Sequence, residues 1–486
     1  MKKMSVWGLW SLGLFCISGC GEMAGDLGAT PGGVQDMGTA RELIQNGQVP
    51  PPEAFSVEGM FSEHDLPLEG APCEETLCLR GALGVAPGLD GQPRAWFQVG
   101  LSSGVDPGAF ERPSLAIVAA VDVSGSMGWN YSDDDSAYPT PGAISRRLLK
   151  ALAAELGPAD QLAIVTYGSS VQTVLPLTRG DRAGEIRAAI DGLDTGGSTN
   201  MEAGMERAYE LARQALDSEC GQVRVMLFTD AQPNVGASQV SYFEELAHEG
   251  AEAGVGLTVF GVGLGLRQEL MEAMVHMRGG NAFSLFDYQD VVELMEDDWP
   301  FLACPIAYDL SVLLTLPEGF RISGSYGFPG QHDEREAGMQ VATVFLSRRK
   351  GALLLELSPE QGRDLTGLHV QARLSYEALD GRTGTESLSS SYAGQALDAR
   401  GQYFEQPVVA KTVALAILVS HMALAAEAYT DDGDRAIRIM RAAAARIEAD
   451  AESIGDPALA PEVELARRLL ELMEQGAPQG DLYGQR

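Results

Sequence analysis

The chain has 486 residues and an acidic balance, with 34 Lys and Arg against 68 Asp and Glu for a formal net charge of −34. The length leaves room for about three domains, and the charge excludes nucleic-acid binding through a broad basic surface, because phosphate contacts rest on Lys and Arg. With 45% hydrophobic and 21% charged residues, the composition is that of a folded protein rather than a disordered one.

Lys2 and Lys3 precede an apolar run from Met4 to Ile17, too short to span a bilayer comfortably. The run closes with Ile17-Ser18-Gly19-Cys20, which resembles the bacterial lipobox, whose cysteine is acylated and becomes the mature N-terminus. An ordinary cleaved signal is the other reading. Residues 1–20 are therefore expected to be a lipoprotein signal peptide with Cys20 as the lipidated residue. Gly21, rather than an aspartate, follows the cysteine and favours the outer membrane. The longest later apolar stretch, Val408 to Ala426, contains Lys411, Ser420 and His421 and reads as a buried helix of a soluble domain. The lipid is thus the only expected membrane anchor.

Cys16 leaves with the signal and Cys20 takes the lipid, so Cys73, Cys78, Cys220 and Cys304 remain. An even number of cysteines in an oxidising envelope favours disulfides. Cys73 and Cys78 can close a short loop, and Cys220 with Cys304 then pairs by elimination. Metal binding by these thiols is the rival reading, without a C-x-x-C or a neighbouring His at zinc spacing to support it.

Along the chain, residues 21–60 read as a flexible tether and Pro-rich segment, with a short helical patch at Thr39 to Asn46 before Pro50-Pro51-Pro52. Residues 61–111 carry strand-like runs at Leu77 to Val85 and Ala95 to Leu101. Residues 112–304 alternate apolar strands with amphipathic helices. The strands are at Leu115 to Val121, Leu162 to Tyr167, Val171 to Leu175, Val223 to Thr229, Leu257 to Val262 and Ala282 to Phe286. The helices are at Ala143 to Leu156, Arg182 to Leu193, Asn200 to Leu216, Ser238 to Ala253, Arg267 to Met277 and Asp290 to Ala303. Fully apolar strands between helices predict a doubly wound parallel sheet covered on both faces. Residues 305–400 return to strands separated by turn signals such as Pro329-Gly330 and Asp380-Gly381, a β-sandwich composition. It lacks an N-terminal strand pair that the 61–111 region can supply, so the α/β domain is expected to be inserted into the β domain. Residues 401–476 are helical, with breaks at Asp431-Asp432-Gly433 and Asp456-Pro457, and 477–486 form a tail.

The chemistry gathers in three loops of the α/β region. Asp122-Val123-Ser124-Gly125-Ser126 leaves the first strand at its carboxyl end, where open α/β sheets place ligands. Gly196-Gly197-Ser198-Thr199-Asn200 lies between two helical segments, and Thr229-Asp230 ends another buried strand. Each loop presents small oxygen donors. Hydroxyls and carboxylates are hard ligands, and Mg²⁺ takes six such oxygens in a tight octahedron. With only Asp122 and Asp230 charged, such an ion stays Lewis-acidic toward an outside carboxylate.

These residues resemble the metal-ion-dependent adhesion site of von Willebrand factor A domains, with D-x-S-x-S at Asp122, Ser124 and Ser126, the loop threonine at Thr199 and the T-D at Asp230. The resemblance implies a Rossmann-like domain. It also implies that Ser124, Ser126 and Thr199 touch the metal, that Asp122 and Asp230 act through water or the serines, and that an acidic residue of a partner completes the shell. Mg²⁺ is the expected ion, with Mn²⁺ or Ca²⁺ as alternatives. The stretch Asn46 to Pro52, then Glu58 and Pro67, is similar to the segment before this domain in a family of bacterial lipoproteins. One departure is the long loop from Gly128 to Pro141, which carries Trp129, Tyr131, Asp133, Asp134, Asp135 and Tyr138. Its aromatics offer a partner contact and its aspartates a second cation site, against the plainer reading of a solvated acidic loop.

Other signals carry little. Gly261-Val262-Gly263-Leu264-Gly265 lacks the spacing of a dinucleotide loop. The six His are scattered without H-E-x-x-H. Asp431-Asp432-Gly433-Asp434 has Ala442 where a calcium loop needs Glu. Ser124 and Ser126 have no G-x-S-x-G and no local base, so no enzyme is expected. The sequence thus predicts metal-dependent binding of a protein with an exposed acidic residue. A structural scaffold or assembly component with a dispensable metal is the alternative.

Overall fold

The computed structural model describes residues 27–30, 37–88, 90–106, 110–129, 139–216, 221–230, 237–263, 277–327, 333–347, 350–360 and 362–480. Two sheets organise them. The smaller has six strands in the order β6-β5-β4-β7-β8-β9, formed by β4 (Leu115–Asp122), β5 (Gln161–Tyr167), β6 (Val171–Arg179), β7 (Gln222–Thr229), β8 (Val255–Val262) and β9 (Gly280–Leu285). All pairs are parallel except the antiparallel β5–β6 edge.

The reason lies in β4, Leu-Ala-Ile-Val-Ala-Ala-Val-Asp, which is buried along its whole length. Successive side chains point to opposite faces of a strand. Leu115, Ile117, Ala119 and Val121 enter one core, with Ile144 and Leu148 of helix α3 (Pro141–Ala154). Ala116, Val118 and Ala120 enter the other, with Met205, Ala208 and Ala212 of helix α5 (Met201–Leu216). A strand apolar on both faces can only lie between two helical layers. Helix α4 (Ala183–Asp191) covers the first face, and α6 (Ala237–Glu252) adds Leu246 and Ala247 to the second. The expected helix at Arg267 to Met277 lies outside the described residues, save Met277. The helix expected at Asp290 to Ala303 is broken into Tyr288–Glu293, a wider π-turn at Leu294–Asp298, and Trp299–Leu302.

The larger sheet has ten strands. Its members before the α/β domain are β1 (Leu27–Thr30), β2 (Cys78–Pro87) and β3 (Pro93–Ser103). Those after it are β10 (Pro305–Thr315), β11 (Phe320–Tyr326), β12 (Glu336–Ser347), β13 (Leu353–Pro359), β14 (Leu368–Ala378), β15 (Thr383–Tyr392) and β16 (Tyr403–Phe404). β3 pairs with β13, and β1 joins β12 to β3, so chain from both sides of the α/β domain shares one sheet. The second edge of β2 pairs with the short β16, and two carboxylates extend that contact: the Leu79 N–H donates to Glu386 of β15 and the Leu83 N–H to Glu405, just past β16, both at 2.6 Å. Strand and side chains together cover the β2 edge beyond β3. Leu83, Phe97, Val312, Leu314, Val341 and Leu374 share the interior.

Three C-terminal helices, α7 (Pro407–Tyr429), α8 (Gly433–Ile454) and α9 (Ala460–Gln475), form a bundle against the larger sheet. Among the described residues α7 alone is long and apolar enough to cross a membrane. It is apolar all round because it runs through the middle of this core. Its buried Lys411 pairs with Asp456 at 2.7 Å. Asp432 caps α8 by accepting from the Arg435 N–H at 2.9 Å, so the Asp431–Asp434 stretch is a helix-connecting turn.

Three expectations need correction. The tether was expected to run to residue 60. Instead β1 lies in the larger sheet, and helices α1 (Gly38–Gln45) and α2 (Val57–Ser62) bury Ala40, Ile44, Met60 and Phe61 in the C-terminal bundle. An ion network locks this in. Arg41 donates to Glu63 at 3.0 Å through Nε and to Glu462 of α9 at 2.8 Å, and His64 lies 3.3 Å from Glu462. Second, the pairing of Cys220 with Cys304 is not made. Cys304 is a free thiol buried in the α/β core, where burial pushes its pKa up to about 11; Cys220 lies outside the described residues. Cys73 and Cys78 do form a disulfide. Third, β15 was not expected, because its exposed Thr and Ser residues give it no apolar run.

The α/β domain meets the larger sheet at the amino ends of its strands. Arg224 of β7 is fully buried and donates to the Leu257 carbonyl (3.0 Å), Thr258 Oγ1 (2.8 Å) and Asn281 Oδ1 (3.0 Å), with its guanidinium over the Phe345 ring of β12. Burial pulls its pKa down to about 10. Nearby, Arg278 pairs with Asp309 (2.9 Å) and Glu377 (3.1 Å), and the Gly279 N–H donates to Thr343 at 2.6 Å. Asp309 has φ of 48° at a bulge in β10.

The Arg41–Glu462 network gives a stability test. Glu462→Ala strips the half-buried Arg41 of one of its two carboxylate partners and is expected to cost about 2 kcal/mol in urea unfolding. Arg468→Ala, which breaks an exposed pair with Glu471, is expected to change stability by less than about 0.5 kcal/mol.

Candidate metal centre

Register brings the site together. β4 lies between β5 and β7, with Asp122 opposite Tyr167 and Val121 opposite Phe228. Asp122, Tyr167 and Thr229-Asp230 therefore reach the same sheet end. Asp122 is buried; one carboxylate oxygen accepts from the Ser124 N–H at 2.8 Å and the other from the Thr229 hydroxyl at 3.4 Å. Beneath them the Tyr167 hydroxyl donates to the Phe228 carbonyl at 3.2 Å. Helix α5 lies directly on the Tyr167 ring, where a Cβ at Gly204 would fall 2.6 Å from ring carbon.

The D-x-S-x-S turn then folds back over the strand ends. The Ser124 and Ser126 hydroxyl oxygens are 3.1 Å apart, and Ser126 donates to Asp230 at 3.1 Å. The third loop is stitched to this turn by its backbone: the Gly196 N–H donates to the Val123 carbonyl at 2.7 Å, and the Gly125 N–H to the Gly197 carbonyl at 3.0 Å. Asp122, Ser124, Ser126 and Asp230 thus form one hydrogen-bonded cluster. Thr199 stands exposed on the adjoining loop, two residues past Gly197. Trp129 follows the turn and is 71% exposed. Tyr131, Asp133, Asp134, Asp135 and Tyr138 lie outside the described residues, as does Cys20.

Among the described residues neither Asp122 nor Asp230 has a cationic partner. Burial pushes both above the ordinary carboxylate range. Asp230 reaches about 6, with the Ser126 hydrogen bond working against burial and the Asp122 charge adding to it. For Asp122, hydrogen bonds from Ser124 and Thr229 hold the rise down. Two buried carboxylates and two hydroxyls without a cation fit a small hard divalent ion. Among the described residues no group of three or more His, Cys, Asp or Glu could hold a metal, so the donor set is the oxygen-rich, low-charge kind rather than a thiol or imidazole site. Sequence reasoning missed Thr229 as a donor and Tyr167 as a support; only strand register reveals them.

Residues 117–232 match the von Willebrand factor type A domain. Over 252 residues the chain is 32% identical to the uncharacterized protein YfbK of Escherichia coli (strain K12), covering 51% of this chain and 42% of that one. Over 128 residues it is 30% identical to the magnesium-chelatase 67 kDa subunit of Heliobacterium mobile, covering 26% of this chain and 18% of that one. The chain spans less than half the length of either relative. Among solved structures, a von Willebrand factor type A protein from Catenulispora acidiphila superposes with a TM-score of 0.49 and 12% identity, over 82% of this chain and 91% of that one.

Asp230 gives a pH prediction. Its folded pKa lies above the unfolded value, so its ionisation costs stability that is fully felt above about pH 6 and is released progressively as pH falls from about 6 toward the ordinary carboxylate range. In chelator, Asp230→Asn is expected to raise the melting temperature at pH 7.5 and to flatten the pH dependence between 7.5 and 5, read by thermal melts of both proteins. The stretch that matches the von Willebrand factor type A domain, residues 117–232, thus holds two buried carboxylates at its strand ends, with no cationic partner among the described residues.

Proposed function

We propose that this is a lipid-anchored bacterial envelope protein, held in the outer membrane through Cys20, that binds a protein partner in a metal-dependent way. In this reading the von Willebrand factor A domain is inserted into a β-sandwich, and the sandwich with its helical bundle displays the domain away from the lipid. The observation that carries it is the pair Asp122 and Asp230, buried beside Ser124 and Ser126 with no cation among the described residues. Mg²⁺ supplies a Lewis-acidic point for an outside carboxylate. Ser124, Ser126 and Thr199 offer hydroxyl oxygens to it, while Asp122 and Asp230 orient the serines and balance part of the charge. The partner is a protein with an exposed Asp or Glu, and no catalytic role is assigned to any residue. The net charge of −34 repels an acidic partner at long range, so the short-range metal contact must supply the attraction.

Calorimetric titration of Mg²⁺ and then Mn²⁺ into the full chain in detergent tests this. Saturable binding is expected for the unmodified protein and its loss for Asp122→Ala. Equal heats in the two proteins would remove the assigned site. Partner capture that persists in chelator and in Asp122→Ala would favour the scaffold reading.

A further inference from the structure

The end of β5 supplies none of the expected donors, yet it and the residues just past it touch two of the three loops that do. The Tyr167 carbonyl accepts from the Val123 N–H at 2.9 Å, inside the D-x-S-x-S turn. Two residues on, Ser169 Oγ accepts from the Ser198 N–H at 3.0 Å and lies 3.3 Å from the Ser198 hydroxyl. The fit is close. Gly197 has φ of 92°, and a Cβ there would fall 2.2 Å from Ser169 Oγ, so the hydroxyl occupies the space that only glycine leaves open.

Thr199 is therefore bracketed. On its amino side Ser198 is tied to Ser169. On its carboxyl side Asn200 Oδ1 accepts from the Ala203 N–H at 3.3 Å at the start of α5. The two backbone bonds at Gly196 and Gly197 hold only the glycine half of the loop. Without the Ser169 bond, the nearest fixed point before Thr199 moves back to Gly197, across a left-handed glycine.

We infer that Ser169 is a positioning residue for the metal centre, acting through Ser198 to hold Thr199 where its hydroxyl can serve the ion. This rests on the reading of Thr199 as a ligand. Ser169 is exposed, so losing its hydroxyl leaves the folded core intact. The effect falls on metal affinity, as for hydrogen bonds that orient ligands from behind.

The test uses the full chain in detergent with Mg²⁺ as the probe. Ser169→Ala is expected to weaken Mg²⁺ binding about tenfold, while the melting temperature in chelator moves by less than about 2 °C. Ser169→Thr keeps the hydroxyl and restores the affinity. In the double variant, Ser169→Ala adds no loss beyond that of Thr199→Ala, because it acts through that residue. A Thr199→Ala loss with unchanged affinity in Ser169→Ala overturns the role of Ser169, and so do additive losses in the double variant. Unchanged affinity in Thr199→Ala overturns the ligand reading beneath it, and no Mg²⁺ binding by the unmodified protein overturns both.

Discussion

The parallel register of β4 between β5 and β7 is the constraint on which the rest depends. It sets Asp122 level with Tyr167 and the Thr229-Asp230 corner, so two carboxylates from distant parts of the chain share one partly desolvated corner. Their environments differ. Asp122 accepts from a backbone N–H and a hydroxyl, whereas Asp230 accepts from the Ser126 hydroxyl and lies in the field of Asp122. Asp230 is consequently the more responsive group, and Asp122 the fixed one against which the serine turn is built.

The opposite end of the same sheet is anchored. Arg224, Arg278 and Gly279 bind the amino ends of β7 to β9 to the larger sheet. Arg224 is held by neutral acceptors rather than a carboxylate, which spares the junction a second buried charge but makes its three hydrogen bonds hard to do without. Asp309, in a left-handed conformation at its bulge, turns a carboxylate toward Arg278; such strain persists where surrounding contacts fix it. At the far side of the larger sheet, Arg41 and Glu462 join the two ends of the described chain, and Val49 forms a parallel bridge with Gln479. The domain is thus held from below, while Trp129 and Thr199 beside its opposite strand ends are exposed.

Much of this was legible in the residues. Leu115 to Val121 and Val223 to Thr229 are apolar on both faces, and that pattern alone demands a parallel sheet between helices. The small-oxygen loops follow because they leave such strands at their carboxyl ends. What escaped notice did so for physical reasons. β1 is four residues held by backbone pairing, which needs no side-chain pattern. β15 hides a strand beneath a polar Ser and Thr face. Helices α1 and α2 are too short for periodicity to show whether they pack, and Pro50-Pro51-Pro52 between them suggested a linker rather than a turn inside a core. Cys304 looked like half of a disulfide because pairing by elimination ignores burial; it follows a helix into the α/β core and behaves as a small apolar residue. Thr229, Tyr167 and Ser169 were invisible as parts of the site because their roles come from strand register and loop approach.

The balance between a working metal centre and a purely architectural domain turns on the cost of the two carboxylates. A domain used only as a spacer gains nothing from burying Asp122 and Asp230 together, since their ionised forms lose hydration and repel each other. Asn at either place would keep an acceptor oxygen for the Ser124 N–H or the Ser126 hydroxyl and remove the charge. Local violations of good burial of this kind persist in proteins chiefly where function needs them. A divalent ion converts the same arrangement from a liability into an attraction, and the hydroxyls of Ser124 and Ser126, 3.1 Å apart, add oxygens without adding charge. The donor set thus suits a small divalent cation, whose charge would offset the desolvation and mutual repulsion of Asp122 and Asp230.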